Sequence, residues 1–124
     1  MKRLALAILV LLASSLPAAA WHCRNNDFEI TCDPTGCTAS DDFTPMDVYF
    51  TEEGDMAVCA YSGCWEGRAN QIVRSNDYLM LAASSLAWQG SQARGEAIAV
   101  LLDKRTRIAV LNGAGYAHPL HCVP

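Results

Sequence analysis

Six cysteines are the residues of this chain whose type and spacing could carry chemistry. Four of them fall in two copies of one pattern, C-x3-G-C, at Cys32 to Cys37 ("CDPTGC") and Cys59 to Cys64 ("CAYSGC"). Cys23 and Cys122 stand apart, near the two ends of the remaining sequence. Three chemistries compete for them. Structural zinc sites space their ligands as C-x2-4-C or H-x3-5-H pairs, and C-x4-C lies at the loose edge of that range. A redox pair would be C-x-x-C beside a βαβ unit, and neither feature is present. An even number of cysteines in a small exported chain reads as a disulfide framework, because oxidising compartments form and keep such bonds. The reading is therefore that Cys23, Cys32, Cys37, Cys59, Cys64 and Cys122 are all disulfide-bonded. Their pairing stays open. Asp33-Pro34-Thr35-Gly36 fits a type I turn, with proline second and glycine fourth, which brings Cys32 and Cys37 near each other. Cys59 and Cys64 flank a similar glycine-ended loop, so local pairs and pairs between the loops both fit. Cys122 is expected to tie the C-terminus to an early strand carrying Cys23 or Cys32.

Export is read from the first residues. Met1-Lys2-Arg3 is a short positive region, Leu4 to Leu12 is continuously apolar, and "ASSLPAAA" supplies the small-residue site Ala18-x-Ala20. This is the three-part layout of a secretory signal. The apolar run falls short of the roughly 20 residues that span a bilayer, and serines break "LMLAASSLAW" downstream. The expected organisation is a signal over 1–20 and a single disulfide-rich β domain over 21–124. The expected location is periplasmic or secreted, with no membrane anchor after signal cleavage. The chain holds 9 Lys and Arg against 13 Asp and Glu. Removing Lys2 and Arg3 leaves seven against thirteen, a net charge of −6. From Trp21 to Glu66 there are ten acids and only Arg24 to oppose them. That balance argues against a nucleic-acid partner, which needs clustered Lys and Arg, and suits a cationic one.

Catalytic signatures are missing from the sequence: there is no G-x-S-x-G, H-E-x-x-H, phosphate loop or EF-hand pattern. His118 and His121 lie three apart, which on a strand places them on opposite faces, and Pro119 opposes a helix that would align them. Asp41-Asp42 and Glu52-Glu53-Asp55 read as solvated turn acids. No catalytic residue, metal ligand or cofactor is assigned, and the expectation is a protein that is not an enzyme. Binding has a better candidate in "YSGCWEG", whose Tyr61, Ser62, Gly63, Trp65 and Glu66 sit in a loop with a cysteine inside it. A stapled loop loses little entropy on binding, and exposed Trp and Tyr make good anchors. The competing use of Trp65 is to cap the core beside a disulfide.

The elements that must position these residues are mostly strands. Period-two alternation places Phe28, Ile30 and Cys32 on one face of "DFEITC", and Met46, Val48 and Phe50 on one face of "MDVYF". "TEEGD" reads as a turn, after which Met56 and Val58 share a face. "IAVL" occurs at Ile98–Leu101 and again at Ile108–Leu111, with a polar connection between, which predicts a hairpin. "SNDYLMLAASSLAWQG" is ambiguous. Tyr78–Ala82 and Leu86–Trp88 fit two short strands joined at Ala83-Ser84-Ser85, while Leu79, Ala82, Ala83 and Leu86 recur at helical spacing. The predicted fold is all-β, a small disulfide-stapled antiparallel meander of six to nine strands closing into a barrel or sandwich. The alternative is α+β with one helix around 77–88.

In the order of its features the chain resembles the MliC-type periplasmic inhibitors of lysozyme. The elements that carry the resemblance are "TCD" at Thr31–Asp33, "SG" at Ser62-Gly63, "WQG" at Trp88–Gly90, and Cys122. The resemblance implies a small exported barrel with an early cysteine tied to a terminal one. It also implies that Ser62 corresponds to the loop serine that enters the lysozyme cleft. Glu66 stands where that family has its tyrosine, the spacings are longer, and four extra cysteines are present. Three functions follow as expectations. The first is an exported binding module that recognises a cationic protein or a glycan through its loops, in its specific form an inhibitor of a cationic hydrolase such as lysozyme. The second is a structural or envelope-stress protein without a ligand site. The third is a metal or redox protein using the C-x3-G-C pairs.

Overall fold

The computed structural model describes residues 19–89 and 95–124. The expected signal over 1–20 therefore lies, apart from Ala19 and Ala20, outside the described residues. What is described is all-β, and the helix considered for 77–88 is replaced by a strand.

Eight antiparallel strands close a barrel in the order β1 (Ala20–Asn25), β4 (Met46–Thr51), β5 (Asp55–Ala60), β6 (Gly63–Arg68), β8 (Tyr78–Trp88), β9 (Glu96–Asp103), β10 (Ile108–Gly113) and β11 (Tyr116–Val123), with β11 back against β1. Strand β7 (Gln71–Arg74) continues β6 in the same register along β8. A separate hairpin, β2 (Glu29–Asp33) and β3 (Gly36–Ser40), belongs to the long connection from β1 to β4. Among the described residues there are eleven strands rather than six to nine. The excess comes from that hairpin and from the break between β6 and β7.

Alternation fills the barrel. Met46, Val48, Phe50, Met56 and Val58 point inward from β4 and β5, as their spacing predicts, and meet Ile98, Val100 and Leu102 of β9. In β8, Leu79, Leu81 and Ala83 are buried, then the phase slips and Leu86 is buried instead of Ser85. The register against β9 shifts between Ala83 and Leu86, so Ser84-Ser85 form a β-bulge. One extra residue in the strand turns a period of two into an apparent spacing of three and four, which imitated a helix. The reading of two strands is corrected in the same way: the break at Ala83-Ser84-Ser85 is a bulge within one eleven-residue strand. The "DFEITC" segment is also corrected. Phe28 and Cys32 are exposed and Ile30 is half-buried, because β2 lies outside the barrel.

The two "IAVL" copies pair as a hairpin, but they face opposite ways. Ile98 and Val100 point inward, whereas Ile108 and Val110 point outward and Ala109 and Leu111 fill the core. Leu101 stands opposite Val110, so an apolar row, Val73-Met80-Leu101-Val110-Pro119, crosses the outer surface of β7 through β11 in register.

All three disulfides join residues directly opposite on antiparallel strands: Cys23 with Cys122, Cys32 with Cys37, and Cys59 with Cys64. Both C-x3-G-C motifs are thus local staples across hairpins. Cys23–Cys122 crosses the seam where the first strand meets the last. A chain with all six cysteines bonded suits an oxidising environment.

Candidate functional site

The stapled hairpin β5–β6 sits at one end of the barrel. Ala60 pairs with Gly63, which leaves Tyr61 and Ser62 as a two-residue tip one step beyond the Cys59–Cys64 bond. Tyr61 is 79% exposed, so the bond fixes the backbone that carries a ring standing in solvent. Gly63 is required where it stands. A Cβ there would lie 2.9 Å from the Trp88 ring, so only glycine lets that indole pack against the loop. Trp65, two residues on and on the same face, meets Trp88 edge to face with centroids 4.6 Å apart and planes at 68°. This is a preferred aromatic geometry. Trp65 is half-buried: it packs on the core and keeps part of its ring at the surface. Glu66 is not brought to this place. It is exposed, opposite Ala57 and Ala87, on the face of β6 that alternation turns away from Trp65.

Around the tip lies a cavity of about 410 Å³ lined by Thr44, Ala60, Tyr61, Ser62, Trp65, Trp88, Glu96 and Tyr116. Antiparallel strands deliver these residues to one end: β5, β8 and the long connection reach it as they finish or return, while β6, β9 and β11 start there. Of the five residues singled out for binding, Tyr61, Ser62 and Trp65 line the cavity and Gly63 shapes it. Trp88, Glu96, Tyr116 and Thr44 were not identified as site residues. Their signal was the strand order itself, since alternate connections of an antiparallel meander meet at one end.

Beneath the mouth the aromatic contacts run inward. Tyr116 lies 6.4 Å from Trp65 and 5.2 Å from His118, centroid to centroid. His118 is fully buried, and neither ring nitrogen has a hydrogen-bond partner. Its Nε2 is 3.9 Å from Glu29 Oε2, and the same carboxylate oxygen accepts the Thr44 N–H at 3.3 Å. Burial holds the His118 imidazole below its ordinary pKa, with the Glu29 charge opposing that shift. Glu29 thus ties the early part of the β1–β4 connection to its end at Thr44 and sets a carboxylate near the buried ring. Asn25, also fully buried, secures its departure by donating to the Phe28 carbonyl at 3.1 Å and accepting the Asp27 N–H at 3.2 Å. His121 points outward to Asp27, 3.1 Å away, so the two histidines occupy opposite faces as their spacing predicts.

Chemically this is a concave aromatic surface whose lining residues bring four hydroxyls, from Thr44, Tyr61, Ser62 and Tyr116, and one carboxylate, from Glu96. The cysteines leave no thiolate for a metal, since all six are bonded. Charge is distributed unevenly. The connection over 26–45 carries Asp27, Glu29, Asp33, Asp41 and Asp42 with no Lys or Arg. At the opposite end cations meet acids, Lys104 with Glu52 at 2.9 Å and Arg68 with Asp55 at 2.5 Å. No family model, curated protein or solved structure matches this chain.

Proposed function

We propose that this chain is an exported, non-enzymatic binding module of the periplasm or cell surface that engages a protein partner through the mouth of its barrel. In its specific form it inhibits a cationic hydrolase such as lysozyme. One observation carries the reading: a disulfide holds an exposed Tyr61-Ser62 tip beside an aromatic cavity. A rigid tip costs little entropy to dock, and central aromatic anchors dominate interface energies. The acidic connection beside the mouth favours encounter with a basic surface.

Retention on immobilised c-type lysozyme tests the specific form. The expected result is retention at micromolar protein that falls at least about tenfold, roughly 1.4 kcal/mol, in Tyr61→Ala. Because Tyr61 is mostly solvent-exposed, that variant should keep the parent melting temperature, so lost retention reports contact rather than unfolding. No retention of the parent chain sinks the lysozyme form. Equal retention of both proteins removes the mouth as the contact.

A further inference from the structure

The geometry points to a receptor for a single guanidinium group, the side chain of an arginine on the partner surface. This rests on the barrel mouth being the binding surface and adds the chemistry of what enters it. Trp65 and Tyr116 have centroids 6.4 Å apart with planes tilted by 60°. A cation seated over that angle lies within about 6 Å of both rings, the range in which aromatic faces attract positive charge. Arginine fits better than lysine because its planar, weakly hydrated head stacks on aromatic faces. Tyr61 stands at the exposed side of the same cavity and Glu96 on its wall. Glu96 is the one carboxylate among the lining residues, so it supplies the counter-charge.

A neutral sugar is the competing occupant, since rings also stack on indoles. Sugar hydroxyls would replace the water on the Glu96 carboxylate with neutral donors, whereas a guanidinium adds an opposite charge and a paired set of N–H donors. The five acids of the 26–45 connection, with no base among them, add a potential that attracts a cation and does nothing for a sugar. The observations favour the cation.

The experiment is an NMR titration of the full chain that follows the indole N–H signals of Trp65 and Trp88, with buried Trp21 as the internal control. The probes are N-acetyl-arginine amide, its neutral isostere N-acetyl-citrulline amide, and the trisaccharide of N-acetylglucosamine. The arginine probe should shift Trp65 and Trp88 but not Trp21, with a Kd on the order of millimolar. Binding should weaken as salt is added. The citrulline probe should bind at least about tenfold more weakly, and Glu96→Gln should weaken the arginine probe by about the same factor. Four results would overturn the proposal: no arginine-dependent shift at about ten times that concentration, equal binding of citrulline, no loss in Glu96→Gln, or saturation by the trisaccharide where arginine fails. If Tyr61-dependent lysozyme retention persists while arginine fails, the binding module stands and only its cation chemistry falls. The converse leaves the cation site intact and removes lysozyme as the partner.

Discussion

His118 is a polar ring in an apolar place, and its cost depends on pH. Burial lowers its pKa from the ordinary 6.5. Well above that value the imidazole is neutral in both the folded and the unfolded chain. As pH falls through about 6.5, the unfolded chain takes up the proton first, so the unfolded state binds more protons and stability drops. The loss continues until the buried ring protonates as well. The expected outcome is a lower urea midpoint at about pH 5 than at about pH 7.5. In His118→Leu that difference should shrink, whatever the variant's absolute stability. An undiminished difference would mean that the buried imidazole is not the group responsible. Glu29, 3.9 Å away, would be drawn toward the protonated ring, which limits the penalty without removing it.

At the scale of elements, the β10–β11 turn shows how closely two strands approach beside the mouth. Gly113 has φ of +145°, and a Cβ there would lie 2.3 Å from the Ala97 carbonyl and 2.7 Å from Ile98 Cα. Backbone cannot give way as a side-chain tip can. Gly113→Ala should therefore lower stability by more than about 2 kcal/mol, measured by chemical unfolding, a large effect for a single methyl group. The same scale explains what could be read from sequence. Met46, Val48 and Phe50 announced their strand because one face of β4 is core and the other is solvent. Leu79, Leu81, Ala83 and Leu86 did not, because the bulge at Ser84-Ser85 changes the phase midway. Tyr61, Ser62, Gly63 and Trp65 were legible as neighbours at one cavity because one stapled loop holds them together. Trp88, Glu96 and Tyr116 come from the ends of three other strands, and only the closed order of the barrel brings them to the cavity. Glu66 illustrates the reverse case: adjacent to Trp65 in sequence, it belongs to the other face.

For the whole molecule, the disulfides differ by the length of chain each one closes. Cys23–Cys122 spans 99 residues, while the other two span five each. In the chain-entropy model a loop of about 100 residues contributes roughly 4.7 kcal/mol, and one shorter than 15 residues less than about 3. The long bond is also buried in the core cluster, so its removal loses packing as well. Replacing Cys23 and Cys122 together by serine should lower the melting temperature clearly more than replacing Cys32 and Cys37. Equal effects would show that loop length does not set the ranking. The Cys59–Cys64 pair has a different consequence, since its loss should loosen the Tyr61-Ser62 tip more than the barrel.

The bond across the β1–β11 seam also imposes an order in time. Residues 23 to 122 form a covalent ring, and its closing cysteine is synthesised 99 residues after its partner. Each C-x3-G-C hairpin can be stapled as soon as its own few residues have emerged, while the ring has to wait for β11. Until then the nascent sheet has an open edge on β1, the kind of surface on which unfinished chains pair wrongly. Strand β11 covers that edge and delivers the thiol that locks it, so closing the barrel and sealing it are one event.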